Sequence, residues 1–314
     1  MTKRYISIIL CIFTFVAMLA FPKAVFNGAS EGLLLWFQII FPTLFPFLLI
    51  TNLLLLTDSI HYIAQSIAGP LRFLFRVSDN GSFVLLIGFL CGYPMGAKMA
   101  ADLVISHKIT EAEGKYLLSF CNNTSPVFIL NFIVWKTLGK EEFALPTFLI
   151  LLTAPIFVSF VTRRFYLKDQ SAFQNIEKRD CKKKKLDFSM LDSCMMNSFE
   201  TIVKVGGYII LFSVILTLLQ EFPWKNPLFD FALPTLEVTN GILLLHRYSL
   251  PFIIEYPAIL ALTSFGGFCS VAQTQCMIQK TGIPLLPYII EKLAASLAAS
   301  LLAFIYLLVK NSIL

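Results

Sequence analysis

Apolar residues fill most of this chain in runs far longer than the buried face of a soluble helix needs, and polar residues lie between the runs or break them. Runs at 5–22, 32–56, 116–135, 143–162, 200–219 and 284–309 are each long enough to cross a hydrocarbon layer about 30 Å thick, and they predict six transmembrane helices. The first follows Lys3 and Arg4. It reads as a membrane helix and not a cleaved signal, because no A-x-A-like cleavage site is obvious and further spans follow. Pro42 and Pro46 predict a kink in the second run. Residues 59–77, with Gln65, Arg72 and Arg76 among apolar positions, predict a segment lying in the interface, and 227–247 is a second amphipathic stretch. Two more apolar runs are interrupted, 82–106 by Gly92-Tyr93-Pro94 and 256–279 around Gly266-Gly267. Such breaks free backbone N–H and C=O groups that lipid cannot satisfy, so each belongs in a protein interior or a water-filled cavity.

The two halves present the same order: long helix, amphipathic segment, broken segment, long helix. Gly69-Pro70-Leu71 through Asp79-Asn80-Gly81 matches Asn226-Pro227-Leu228 through Thr239-Asn240-Gly241, which brings the two breaks into register. The chain therefore divides into an N-terminal transmembrane helix (1–27), a first repeat (28–162), a basic loop (163–195) and a second repeat (196–314). Residues 163–187 hold nine Lys or Arg against four acids, which marks the cytoplasmic side. Full crossing by both broken segments would set Lys3/Arg4 and this loop on opposite sides. Re-entrant hairpins that enter and return put both on the cytoplasmic side and satisfy the positive-inside bias. The expectation is thus an all-α polytopic membrane protein with two re-entrant helical hairpins, both termini cytoplasmic, and inverted repeats related by an in-plane axis, as in many secondary transporters.

Composition agrees: 57% of residues are hydrophobic and 14% charged, with a mean hydropathy of +0.77. The net charge of +6 is accounted for by basic residues beside the spans, so nucleic acid is not an expected partner. Seven cysteines and three histidines are scattered, without C-x-x-C, H-E-x-x-H, G-x-S-x-G or Walker spacing. The sequence thus names no metal site, no cofactor and no catalytic residue, and an intramembrane hydrolase lacks a recognisable nucleophile and base. The expected partners are a small solute and the bilayer, with a homo-oligomer left open.

Candidate chemistry sits at the breaks. Gly92, Tyr93, Pro94 and Gly96 would present helix-end N–H groups to an anion, and Lys98 would add a full charge. Asp102 is the i+4 neighbour of Lys98, so a plain intrahelical pair is the competing reading. Asn122, Asn123, Thr124 and Ser125 precede Pro126, which frees a backbone carbonyl one turn earlier; these groups either repair the kink or bind a solute or Na⁺. Ser264, Gly266, Gly267, Ser270 and Gln273 are the counterparts at the second break, where small-residue packing competes with solute binding. Glu200 and Lys204 read as an interfacial pair, and Glu237 and Asn240 as a helix cap or a gate. The residues by themselves indicate a small anionic solute.

Phe-Pro-x-Leu-x-Pro-Phe (41–47), Gly-Tyr-Pro-x-Gly-Ala-Lys (92–98), Asn-Asn-x-Ser-Pro (122–126), Glu-x-Thr-Asn-Gly (237–241) and Ser-Phe-Gly-Gly (264–267) occur in that order. From about residue 28 onward the chain resembles the YlbJ/SpoVV-type sporulation integral membrane proteins. These carry the nucleoside-recognition or gate domain, similar to part of the concentrative nucleoside transporters. The resemblance implies that both repeats are gate-type and that the chain is a sporulation transporter in the bacterial cell membrane or outer forespore membrane, with dipicolinic acid as cargo. A nucleoside-like solute carrier and a non-transporting sporulation scaffold are the alternatives.

Overall fold

The computed structural model describes residues 2–57, 59–167, 187–222 and 227–313. Most of the basic loop (168–186) and Asn226 of the repeat match therefore lie outside the described residues. Every regular element among the described residues is helical. The protein is a multi-pass membrane protein, with six helical stretches long and apolar enough to cross: Pro22–Leu56, Glu111–Leu138, Glu141–Tyr166, Phe188–Gln220, Phe252–Ile278 and Leu285–Ser312.

Helix α1 (Thr2–Ala20) leads into α2 (Pro22–Leu35), which continues through a π-helical turn at Trp36–Ile40 into α3 (Phe41–Leu56). Next come α4 (Ile60–Phe75), α5 (Asp79–Cys91), α6 (Met95–Ile105) and α7 (Glu111–Cys121). The chain re-enters a helix at α8 (Pro126–Phe128), which runs on as a π-helix over Ile129–Leu138, before α9 (Ala144–Tyr166). The second half contains α10 (Phe188–Gln220), α11 (Pro227–Ala232), α12 (Val238–Arg247), α13 (Phe252–Phe265), α14 (Gly267–Ile278) and α15 (Leu285–Ile313).

Lipid tails are as apolar as leucine, so helices here associate through close packing of small residues and a few interhelical hydrogen bonds. Gly28 and Gly32 supply that surface on α2: a Cβ on Gly28 would fall 2.9 Å from the Ser213 carbonyl oxygen, and one on Gly32 would fall 2.8 Å from Ile210 Cα. Hydrogen bonds extend the seam. Thr217 donates to the Ala24 carbonyl (3.0 Å), Trp36 Nε1 to the Ile202 carbonyl (2.9 Å) and Asn52 Nδ2 to Ser198 (2.9 Å). The α2–α3 unit and α10 are therefore antiparallel.

The Gly92-Tyr93-Pro94 break turns the chain back on itself. Cβ atoms on Gly88 of α5 and Gly96 of α6 would both collide with one atom, the Cys121 carbonyl oxygen, at 2.1 and 2.5 Å. Residues eight apart reach the same carbonyl only if the two helices lie side by side. Their bases are tied as well: the Ser78 amide donates to Glu113 Oε1 (2.6 Å), and Asn80 Nδ2 donates to the Lys108 carbonyl (3.1 Å). At 13 and 11 residues, α5 and α6 are about 20 and 16 Å long, too short to cross.

The second break behaves differently from the expected hairpin. Helices α13 and α14 count together as one span-length stretch of 27 residues, Phe252–Ile278, interrupted at Gly266. The reversal in this half lies earlier, between Leu233–Thr235 and α12: a Cβ on Gly241 would sit 2.0 Å from the Pro234 carbonyl oxygen. Asp79-Asn80-Gly81 opens the first arm of a hairpin at its base, whereas Thr239-Asn240-Gly241 opens a returning arm next to its tip. A glycine-centred break looks the same in a primary sequence whether the helix beyond it continues or reverses.

This changes the position of the carboxyl terminus. Tyr166 donates to Glu291 (2.6 Å) near one end of α9, and Lys310 donates to Glu142 (3.1 Å) just before its other end. Helix α15 is therefore antiparallel to α9, and its Ile313 end lies on the side opposite Leu167. The expectation that both lie on one side is corrected, because Phe252–Ile278 runs through. Topology reporters placed after Leu167 and after Leu314 are expected to report opposite sides of the membrane, and a same-side result would contradict this arrangement.

Candidate functional site

Two helices are broken at the middle of the bundle, and the hairpin tips meet them there. In α7 the break follows from Pro126. Its missing N–H leaves the carbonyl four residues earlier, at Asn122, without a helical partner. Ser125 then restarts the helix as its N-cap, accepting from the Phe128 amide (3.3 Å). In α13 the break is at Gly266, whose φ of +86° suits glycine, and Gly92 at the first hairpin tip is similarly placed at +84°. Tyr93 covers the second break, its Cε1 3.4 Å from where a Cβ on Gly266 would lie. At the other tip, the Cys269 amide of α14 donates to the Leu236 carbonyl (2.9 Å).

A cavity of about 320 Å³ lies between these breaks. Of the residues anticipated from sequence, Gly92, Tyr93, Thr124, Ser125, Gly266, Ser270 and Gln273 line it. The π-helical segments line it too, through Gln38, Ile39 and Ile40 on one side and Asn131, Phe132 and Lys136 on the other. Departures from regular α-helix concentrate at functional surfaces, where they re-aim side chains. Glu237 adds a buried carboxylate, held at the start of α12 by the amides of Thr239 (3.1 Å) and Asn240 (2.8 Å). Beyond Lys136 the cavity adjoins a second space of about 280 Å³ bordered by Glu31, Gln220, Asn240 and Arg247. Those residues lie toward the bundle end opposite Leu167.

The remaining anticipated residues stand behind the lining. Lys98 is buried and bonds Asp102 at 2.8 Å within α6, the intrahelical pair that was the competing reading. Pro94 precedes α6 as its N-cap, and Gly96 packs against Cys121 and Asn122. Asn122 is fully buried: its Oδ1 accepts from the Ala97 amide (3.2 Å), and its Nδ2 donates to Thr274 and to Tyr288, each at 2.9 Å. Asn123 donates to the Phe120 carbonyl, and Thr124, itself on the lining, donates across to the Thr263 carbonyl (3.0 Å). Gly267 abuts the second hairpin at the Thr235 carbonyl and Val238 amide, while the Ser264 hydroxyl is buried without a hydrogen-bond partner among the described residues.

The chain is 25% identical to the sporulation integral membrane protein YlbJ of Bacillus subtilis (strain 168), over 95% of this chain and 81% of that protein. It resembles YlbJ-type membrane proteins over nearly its whole length. No protein-family model and no solved structure matches it. YlbJ is named for sporulation and for its place in the membrane.

Lys292 was missed as a site residue. It is buried on α15 and donates to the Asn122 carbonyl (3.1 Å) and to Asn123 Oδ1 (3.3 Å). Its signal is a basic residue that, with the adjacent Glu291, interrupts an otherwise apolar final span. Among the described residues no group of three or more His, Cys, Asp or Glu side chains gathers as a metal site.

Asn122→Leu removes three buried interhelical bonds, and at roughly 0.6 kcal/mol each it is expected to cost about 2 kcal/mol. Lys98→Met, which breaks a pair whose acid is partly exposed, is expected to cost less than about 1 kcal/mol. Equilibrium unfolding in mixed micelles measures both, and a larger loss for Lys98→Met would reverse the assignment.

Proposed function

We propose that the chain is a secondary transporter that binds a small anionic solute in the cavity lined by Tyr93, Thr124, Ser125 and Gly266. The observation that carries this reading is the cavity where the two backbone breaks and two hairpin tips meet. Its volume is at the low end of the roughly 300–1,000 Å³ of small-molecule sites. Lys136 at the cavity and Arg247 in the space beyond it place two cations along the approach, with Glu237 at the cavity and Glu31 in the outer space as the opposing carboxylates. The anion preference rests on that approach and not on Lys98, whose charge is engaged by Asp102.

The transport reading takes the two halves as inverted repeats with re-entrant hairpins, in a register different from the one suggested by sequence. The Gly92-Tyr93-Pro94 tip then pairs with Leu236-Glu237, and the Asn122–Ser125 break pairs with Gly266. A site at the junction of such repeats can open to either side by movement of one packed unit against the other. The resemblance to sporulation membrane proteins adds the biological setting and points to dipicolinic acid, whose two carboxylates suit a cationic approach. A nucleoside-like neutral solute is the second reading, favoured by the buried Glu237 carboxylate and Gln273 on the lining.

Flux into proteoliposomes tests both readings. With dipicolinate as the probe, Lys136→Ala is expected to reduce initial uptake about tenfold, the equivalent of a lost charge-assisted contact of about 1.4 kcal/mol. Lys98→Ala is expected to reduce it less than twofold. Uptake of a nucleoside but not of dipicolinate would select the second reading. No flux of either would remove the transport assignment and leave a scaffold.

A further inference from the structure

Lys292 lies seven residues into α15, and its side chain is among the largest fully buried ones. It makes no ion pair with any described Asp or Glu. The neighbouring acid, Glu291, is turned away to Tyr166. The ammonium instead meets two neutral oxygens, the Asn122 carbonyl and Asn123 Oδ1, at 3.1 and 3.3 Å. The first is the carbonyl that Pro126 deprives of its helical partner. The polar side-chain atoms of Asn122 are already engaged with Ala97, Thr274 and Tyr288, which holds that carbonyl in place.

A carbonyl released by an unwound helix beside a side-chain amide oxygen, in a dry interior, is the ligand chemistry that holds a monovalent cation within a membrane protein. A charged side chain buried there without a partner would be strongly disfavoured, so Lys292 is retained where oxygens converge to receive it. We infer that the Asn122–Asn123 break is a monovalent-cation site filled by the chain's own Lys292 ammonium, so that the folded protein needs no bound alkali cation at this break. The bearing on ion coupling rests on the transport reading. The site itself does not, and it can be tested without measuring flux.

The experiment compares thermal unfolding of the purified full chain in detergent with choline, sodium or methylammonium chloride at equal ionic strength. The wild-type midpoint is expected to agree in all three salts to within about 1 °C. Lys292→Ala is expected to unfold at a lower temperature in choline and to recover about 2–4 °C in sodium or methylammonium, the shift produced by a ligand present at several times its Kd. Lys292→Met, which retains the bulk of the stem, is measured in the same way.

The inference is overturned if neither variant responds to sodium or methylammonium more than to choline. It is also overturned if the wild type responds as much as the variants, or if both variants match the wild type in choline. Failure to obtain either variant folded, even with methylammonium present throughout purification, counts against it as well, because the vacated site should then be filled. Wild-type flux measured in parallel separates the two failures: transport with no cation response removes only the tethered-cation site.

Discussion

Every backbone polar group in the membrane interior must find its partner within the protein, and the architecture follows from how the breaks meet that requirement. Pro126 withdraws one donor, and the carbonyl it leaves is taken by Lys292 from a different helix. The Cys269 amide at the start of α14 is taken by the Leu236 carbonyl of the second hairpin tip. Asn122 accepts from the Ala97 amide near the start of α6. Each interruption is thus repaired by an element distant in sequence, and these repairs hold the hairpin tips and broken helices in one cluster.

Close approach makes those repairs geometrically attainable. Gly88 and Gly96 let both arms of the first hairpin rest on the Cys121 carbonyl, and Gly241 lets the second hairpin close on Pro234. On the other side of the bundle, Gly28 and Gly32 allow α2 to lie against α10. With no hydrophobic force between helices in lipid, such contacts and a few buried hydrogen bonds carry the association. The cavity is the space left where the tips meet, and its lining is mixed because the same polar groups that repair backbone also face inward.

The chemistry of the breaks was legible from single residues, since glycine, proline and clustered amides have local meanings. Seven of the anticipated residues reach the cavity, and the i+4 spacing of Lys98 and Asp102 already contained their pairing. Gln38, Asn131 and Lys136 were not legible, because they face the cavity through π-helical segments that no residue pattern announced. Lys292 left a visible signal, a charge within an apolar span, but its partner lies 170 positions away.

Hydropathy and basic-residue placement determined, from sequence alone, that this is an all-helical membrane protein whose apolar segments are broken at specific points. Local composition is sufficient for that, because the bilayer imposes a minimum length and excludes unpaired backbone. Whether a given break reverses the chain or passes it through was decided only in three dimensions, and with it the direction of each helix that follows. Gly92 turns back because α5 and α6 can share the Cys121 carbonyl, while Gly266 continues because the second hairpin tip and Tyr93 close around it. Those outcomes depend on which distant group satisfies the freed backbone.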